Sequence, residues 1–463
     1  MTEYAVGSLP YELQNIALGA CFLGSGGGGK LKTSLKYIDD YFSANKEFQN
    51  FQIADLITDL KDAKPNESGI VVAYMGAPQK MDEIKCPDAV CEGIKKIMDY
   101  KNADHIDYII PVEIGPVSSI TACLTALKMK MTPKMQNVHV LNVDGAGRAV
   151  PTLDLISYTT NAHVSVNPTF LCSENENENK KPPEAPVYHQ IKLEIFGDKK
   201  PGADFSDDMD SGAASKMESL ARPVLNMAEF DQRAGLVMWY FDNVTKLKED
   251  YASVPGTLTF SLEQGRVIRS MQSENWEFSK IEELFESQSI YPAINENYSA
   301  IREMCRGKLI SATTSTAGGF DVGVITIEGD SSIKDYSGHQ YTIIFQNESL
   351  ILWDSDSPIP LVMAPDLISY LIEDDEKKYV FTNGDIMENG ELKEDLKGKN
   401  IVVYGIAAPK ALTESESNMM DKRKDILRNT IAGVEPNALP KHYMSILNNV
   451  GYYGQYKSLK EKK

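Results

Sequence analysis

At residues 141–151 the chain reads Leu-Asn-Val-Asp-Gly-Ala-Gly-Arg-Ala-Val-Pro. The apolar, β-branched residues that lead into it, Val138 to Val143, are typical of a buried parallel strand. The strand gives way to Asp144, two glycines and Arg148. Because ligands of open α/β sheets bind beyond the carboxyl ends of the strands, we predict that Asp144 and Arg148 belong to a functional site. Gly145 lets the backbone turn and approach a ligand closely.

The composition limits the class of protein. The chain has 463 residues, 42% hydrophobic and 24% charged, which predicts a globular protein of two or three domains. Its formal net charge of −19 argues against nucleic-acid binding and against attraction to anionic membranes. No apolar run is long enough to span a membrane, and the N-terminus lacks a secretory pattern. The six cysteines are scattered without a C-x-x-C pair, so we expect reduced thiols and a cytoplasmic location.

A glycine-rich segment, Gly24 to Lys30, lies between predicted helices at 10–23 and 31–42. It fits G-x-G-x-x-G without the required preceding strand, and G-x-x-x-x-G-K with Leu31 in place of Ser or Thr. We therefore expect no nucleotide cofactor. Backbone N–H groups at a helix N-terminus can still bind an anion, and four glycines are costly to order, which favours a ligand-facing loop over a flexible connector. The predicted substrate-binding glycines are Gly26, Gly27, Gly28 and Gly29.

Two more predicted strands, at 69–74 and 106–112, precede the strand at 138–143 and alternate with helices. This order indicates a parallel sheet with right-handed crossovers. If the three strands are neighbours, their ends converge in one crevice. The side chains and glycines that they would bring there are Glu83, Glu113, Gly115, Asp144, Gly145 and Arg148. The alternative is that Glu113 and Asp144 cap helix N-termini, where a carboxylate is stabilised by about 0.3–1 kcal/mol.

The predicted fold class is α/β, with an N-terminal parallel-sheet α/β domain, a helical segment and a β-rich C-terminal domain. The N-terminal domain covers 1–172. Residues 173–186, Ser-Glu-Asn-Glu-Asn-Glu-Asn-Lys-Lys-Pro-Pro-Glu-Ala-Pro, have too few apolar side chains to form a core and predict a linker or exposed loop. The C-terminal domain covers 187–463, helical over 211–306 and β-rich over 308–410. The predicted helices there are 213–230, 257–268, 278–285 and 300–305. The predicted strands are 188–196, 236–241, 308–314, 323–328, 340–345, 349–353, 379–381 and 401–405.

Several of these stretches together resemble the DUF917 family, also named for S-methyl thiohydantoin desulfurase. They are residues 23–29, 75–78, 112–115 and 143–151, followed by 254–258, 265–266, 316–320 and 345–348. The resemblance covers nearly the whole chain. It implies a small substrate that is a five-membered cyclic ureide or its sulfur analogue, with sulfur removed at the carbon between the two ring nitrogens. It also implies association with hydantoinase and oxoprolinase proteins.

Two segments depart from the family pattern. Relatives usually continue E-I-G with G-x-N, whereas Pro116, Val117 and Ser118 follow Gly115 here. Relatives usually have adjacent Glu and Lys residues after G-A-P, whereas Ile84 separates the two here. The first change removes a glycine and an amide from the segment that carries Glu113.

Hydrolytic desulfuration needs a base that takes a proton from water, and donors or a metal for the developing negative charge. We expect Asp144 or Glu113 to be that base or a metal ligand, and Asp144→Asn to lower turnover by orders of magnitude. Arg148 would anchor an anionic group, and the glycine loop would supply N–H donors. The metal content is open: His163 could join the two carboxylates around a divalent ion, although no H-E-x-x-H pattern is present.

Other functions stay open at this point. Cys172 could act as a nucleophile, but it lacks a helix start or basic neighbour that would lower its pKa. The chain could be a non-catalytic subunit or small-molecule-binding partner of a hydantoinase-like or oxoprolinase-like enzyme. A nucleotide-dependent enzyme would use the glycine loop. The expected protein partners are a second copy of the chain or a hydantoinase-like protein.

Overall fold

A computed structural model describes residues 2–76, 80–160, 162, 164–174, 187–195, 213–273, 282–283, 301–317, 320–374, 377–413, 446–447, 450–452, 454 and 458–459. These residues form an α/β protein with two sheets. The α-helices in them are α1 (Leu9–Leu23), α2 (Leu31–Ala44), α3 (Asp88–Lys101), α4 (Pro116–Lys130), α5 (Ser157–Thr160), α6 (Ala213–Val224), α7 (Thr257–Ser273) and α8 (Lys410–Thr413). No helix in this part of the chain is long and apolar enough to cross a membrane.

The first sheet is mixed. Its strands are β1 (Ile57–Asp59), β2 (Gly69–Gly76), β3 (Tyr108–Pro111), β4 (His139–Asp144), β5 (Thr169–Cys172), β6 (Gln190–Leu193), β7 (Arg233–Phe241) and β8 (Val254–Pro255). They are ordered β1-β4-β3-β2-β7-β5-β6, and β8 pairs with β4. β1, β4, β3 and β2 are parallel, as predicted, so the predicted strands are neighbours and their carboxyl ends share one edge.

The other half of the first sheet is antiparallel, which the sequence did not predict. β7 pairs with β2, and β5 and β6 follow it. β7 is almost wholly buried and apolar, so it gains most by lying in the middle of a sheet. Both β6 and β7 follow the segment that was predicted as a linker. Of that segment, 175–186 lie outside the described residues.

The second sheet is antiparallel throughout. Its strands are β9 (Ile301–Ala317), β10 (Phe320–Gly329), β11 (Gln340–Gln346), β12 (Glu348–Asp354), β13 (Val362–Met363), β14 (Leu367–Asp374), β15 (Lys377–Val380), β16 (Met387–Glu388), β17 (Glu391–Leu392) and β18 (Asn400–Ile406). The main order is β13-β12-β11-β10-β9-β18-β14-β15. This confirms the predicted β-rich region.

One predicted helix in this region is wrong. Residues 301–305 are the start of β9, where Ile301 pairs with Ile406 and Cys305 with Val403 of β18. All four of these residues are buried, so long-range strand pairing outweighs the local helical pattern. Of the helix predicted at 278–285, the structure describes only 282–283, which are helical.

Helix α1 connects the two sheets and carries the glycine loop at its end. A Cβ atom built on Gly19 would lie 1.8 Å from the Ser261 carbonyl oxygen, and one on Gly265 would lie 1.7 Å from that of Asn15. α1 and α7 are therefore in direct backbone contact. On its other side α1 reaches the second sheet, where the rings of Phe22 and Tyr404 meet edge to face at 5.8 Å. The end of α1 is thus held against both sheets.

Candidate active site

The glycine loop between α1 and α2 is held by α4 and by the turn that follows β15. Asn383 lies in the turn that follows β15 of the second sheet. Its backbone N–H donates to the Gly26 carbonyl oxygen at 2.7 Å. Val117 N, in the first turn of α4, donates to the Gly28 carbonyl oxygen at 3.0 Å. The loop is buried as far as Gly28, and only Gly29 is exposed. It is a fixed element between the two sheets.

Two of the predicted glycines are required by close contacts. A Cβ atom on Gly27 would lie 2.1 Å from Oε1 of Glu348. Gly28 has a φ of +73°, and a Cβ atom there would lie 2.4 Å from the Cα atom of Gly115. Any side chain at either position would push these elements apart. The loop is therefore the place where the Gly115 turn of the first sheet and Glu348 of the second sheet meet.

The anion position at the start of α2 is filled by the chain itself. Leu31 N donates to Oδ2 of Asp385 at 2.8 Å, and Lys32 N donates to Oδ1 at 3.4 Å. The Thr382 hydroxyl orients the same carboxylate by donating to Oδ2 at 2.7 Å. A helix N-terminus favours a negative charge, and here Asp385 supplies it. The carboxylate holds the place that a phosphate would take in a nucleotide-binding loop.

Glu113 follows β3, at the point where the parallel strands end. Its Oε2 accepts from Val150 N at 2.7 Å and its Oε1 from the Ser118 hydroxyl at 3.2 Å. The residue keeps part of its surface accessible. Burial of the carboxyl group raises its pKa well above the ordinary value, and the negative charge of Glu348 raises it further. Glu113 therefore holds its proton more strongly than an ordinary glutamate does.

Glu348, at the start of β12, was not singled out from the sequence as a site residue. It is 3% exposed, and Gly28 N donates to its Oε1 at 3.4 Å. Its Oε2 is buried and has no hydrogen-bond partner among the described residues. Burial raises the pKa of Glu348 to about 7, although the nearby Arg148 charge opposes the rise. The only sequence signal was its place at the end of the resembling segment 345–348.

Asp144 is 0% exposed and holds the turn that follows β4. Its Oδ2 accepts from Ala146 N at 2.9 Å and from Gly147 N at 2.7 Å. Burial raises the pKa of Asp144 to about 7, and these two N–H groups oppose the rise. The same turn leads to Val150, whose N–H binds Glu113. The geometry gives Asp144 a positioning task, and its predicted part in the reaction stays a prediction.

Arg148 is 0% exposed and bonded to backbone oxygens. Its Nη1 donates to Pro365 O at 2.8 Å and to Asp366 O at 3.1 Å, and its Nη2 to Ser349 O at 3.2 Å. Its Nε donates to Ala149 O at 2.9 Å. The guanidinium group thus joins the turn after β4 to the second sheet. Its charge acts on Glu348 across this junction.

Gly145 and Glu83 lie apart from the carboxyl groups of Glu113 and Glu348. A Cβ atom on Gly145 would lie 2.5 Å from Cγ2 of Ile156, so this glycine is required by packing. Glu83 is half exposed and forms ion pairs with Lys80, at 3.3 Å, and with Arg233. Hydrogen bonding to Arg233, and then to Lys80, lowers the pKa of Glu83. Its described ionic partners are Lys80 and Arg233, and neither belongs to the loop.

The described part of the chain contains no group of three or more His, Cys, Asp or Glu side chains arranged to hold a metal ion. His163, the predicted ligand, lies outside the described residues. Cys172 is buried in β5, and burial raises the pKa of its thiol to about 12. A thiol with this pKa is a poor nucleophile at neutral pH, because the thiolate is the reactive form.

Two family models match the chain. A family model described as the S-Me-THD-like N-terminal domain matches residues 11–180, and one described as the S-Me-THD-like C-terminal domain matches residues 212–420. The chain belongs to the S-Me-THD-like family. In this S-Me-THD-like protein, Glu113 comes from the N-terminal match and Glu348 from the C-terminal match.

A solved structure has the same fold. It is the crystal structure of a protein from Chromobacterium violaceum, with a TM-score of 0.69 and 24% sequence identity. The similarity covers 97% of this S-Me-THD-like chain and 98% of the other. No curated protein matches the chain.

Proposed function

We propose that this S-Me-THD-like protein hydrolyses a small five-membered cyclic ureide or its sulfur analogue at the carbon between the two ring nitrogens. Membership of the family supports the class of ring. The observation that carries the proposal is Glu113, a carboxyl group with a raised pKa at the carboxyl edge of the parallel strands. Groups with pKa values shifted in this way are concentrated at catalytic sites.

The site has an accessible side and a buried side. Gly29 is exposed and Glu113 is partly exposed, and the first turn of α4 contacts both of them. Glu348, Asp144 and Arg148 lie behind them and are shielded from solvent. A small ring that entered from the accessible side would meet Glu113 first. The buried side has a low dielectric, which strengthens its electrostatic effects.

The reaction is balanced with water as the only co-reactant. For an S-methyl thiohydantoin, the water oxygen bonds to the ring carbon and the carbon–sulfur bond breaks. One water proton remains on a ring nitrogen and the other leaves with sulfur as methanethiol, so that the product is a hydantoin. The raised pKa of Glu113 favours its protonated form, which suits the group to donate a proton as a general acid.

Turnover of defined rings tests the proposal. Pure protein is incubated with S-methyl thiohydantoin and with hydantoin, and thiol release and ring products are measured. We expect thiol release that falls about 100- to 10,000-fold in Glu113→Gln. The matched control is Glu12→Gln, because Glu12 is also buried but lies on α1 and pairs with Arg266. Saturable ring binding with no turnover would contradict hydrolysis and support a non-catalytic subunit.

A further inference from the structure

Glu113 and Glu348 approach the glycine loop from different sheets. Glu348 contacts the loop directly, since Gly28 N donates to its Oε1 at 3.4 Å. The turn that carries Glu113 contacts the same residue, because a Cβ atom on Gly115 would lie 2.4 Å from the Gly28 Cα atom. Gly27 has no side chain, and the Glu348 carboxyl group occupies the space beside it. The Glu348 carboxyl group and the turn that follows Glu113 therefore meet at a single backbone element.

The second carboxyl oxygen of Glu348 lacks a hydrogen bond within the described residues. Oε2 is buried without a hydrogen-bond partner in the described part of the chain, in a residue that is 3% exposed. Leaving a buried polar atom unpaired is costly, so such an atom calls for a partner during function. Arg148 is near, but its described hydrogen bonds go to backbone oxygens. Oε2 is therefore free, within the described part of the chain, to accept a proton from a water molecule.

We propose that Glu113 and Glu348 work as one acid–base pair that retains one proton in the resting protein. Glu348 takes a proton from the attacking water, and Glu113 donates its proton to the ring nitrogen. The assignment of these two roles rests on the proposed hydrolysis. Like charges that are close together in a buried site do not both ionise readily, so the second proton is retained.

The proton count of this cycle closes. Water adds across the carbon–nitrogen double bond, with its oxygen on carbon, one proton on Glu348 and the Glu113 proton on nitrogen. The carbon–sulfur bond then breaks as the hydroxyl group on that carbon gives its proton to Glu113. Glu348 returns its proton to the departing methanethiolate. Both carboxyl groups end in their starting states, and no further reactant is needed.

The electrostatics agree with this division of roles. The charge of Glu348 raises the pKa of Glu113, and burial does so to a larger extent. Arg148 favours the ionised form of Glu348 but is absent from the main influences on Glu113. Glu113 is therefore the group that keeps the proton. Glu348 is the group that can release it near neutral pH.

Four proteins test the pair: Glu113→Gln, Glu348→Gln, the double variant and the Glu12→Gln control. We expect a bell-shaped pH dependence of kcat/KM in the control, loss of the acidic limb in Glu348→Gln and loss of the alkaline limb in Glu113→Gln. Because the two groups act as a unit, the double variant should be no slower than the slower single variant. Losses that multiply in the double variant, or an unchanged acidic limb in Glu348→Gln, would overturn the proposal.

A second measurement does not depend on turnover. Infrared spectroscopy follows the carbonyl stretch of protonated carboxyl groups through a pH titration of the folded protein. We expect Glu348→Gln to lower the pKa of the Glu113 band, and an unchanged pKa would overturn the pair. If this shift occurs while no ring is hydrolysed, the proposed function fails and the pair stands. If rings are hydrolysed without the shift, the pair fails and the proposed function stands.

Discussion

Gly27 and Glu348 are in direct contact although 321 positions separate them, and a Cβ atom on Gly27 would lie 2.1 Å from Oε1 of the carboxyl group. One is in the loop after α1 and the other at the start of β12. The contact places a titratable group from the second sheet at the carboxyl edge of the first. The absence of a side chain at Gly27 is what allows Glu348 to lie against the loop.

Substitution of Gly27 tests this contact. Gly27→Ala should displace Glu348, reduce activity and lower the free energy of unfolding by about 1–3 kcal/mol, the usual range for overpacking. Chemical denaturation and initial rates measure both effects. The control is Gly384→Ala, because a Cβ atom there meets only the flexible side chain of Lys30, at 3.3 Å. If Gly27→Ala lowers the stability of the Glu348→Ala variant as much as it lowers that of the native protein, the contact with Glu348 is not the cause.

Stability should depend on pH through Glu348. The folded protein binds this proton more tightly than the unfolded chain, whose glutamate titrates at its ordinary value of 4.5, compared with about 7 when folded. The free energy of unfolding therefore falls as pH rises through this window. Glu348→Gln removes the effect, so its stability relative to the native protein should increase between about pH 5 and about pH 8. Denaturant titrations at about pH 5 and about pH 8 measure the free energy of unfolding of both proteins. The same difference between them at the two pH values would contradict this prediction.

Asp144 should act through the turn that it holds. Asn retains a carbonyl oxygen for Ala146 N and Gly147 N, so Asp144→Asn should fold and lose less activity than Glu113→Gln. Asp144→Ala leaves both N–H groups unpaired and should lower the free energy of unfolding by about 1–3 kcal/mol. The sequence alone predicted loss by orders of magnitude in Asp144→Asn, and complete burial of the side chain changes that expectation. A large fall in kcat with native stability would restore Asp144 as a reacting group.

Arg148 should stabilise the junction and tune Glu348. Arg148→Met leaves backbone oxygens such as Pro365 O and Ser349 O without their donor, so the free energy of unfolding should fall by about 3 kcal/mol. Loss of the cation should also raise the pKa of Glu348 and move the acidic limb of the pH–rate profile upward. Arg148→Lys keeps the charge but not the forked geometry, so it should lose stability with a smaller shift of the limb. Equal shifts in both variants would contradict the electrostatic role.

Local patterns predicted the elements of the site well. The parallel strands, the loop between two helices and the carboxylate of Glu113 at a strand end all follow from periodicity over a few residues. The predicted anion position at the start of α2 exists, and Asp385 fills it from a distant turn. Helix N-termini attract negative charge wherever it comes from, so the pattern could indicate the position but could not identify the group.

The sequence by itself determined the strand ends, the need for glycine in the loop and membership of a family, because each depends on residues that are close together in the chain. Tertiary structure decided that β7 pairs with β2, that 301–305 extends β9, and that Glu348 meets the loop. These three depend on pairing and packing between segments that are far apart in sequence. A local pattern carries no information about which distant carboxyl group such packing brings to Gly28, and here that group is Glu348.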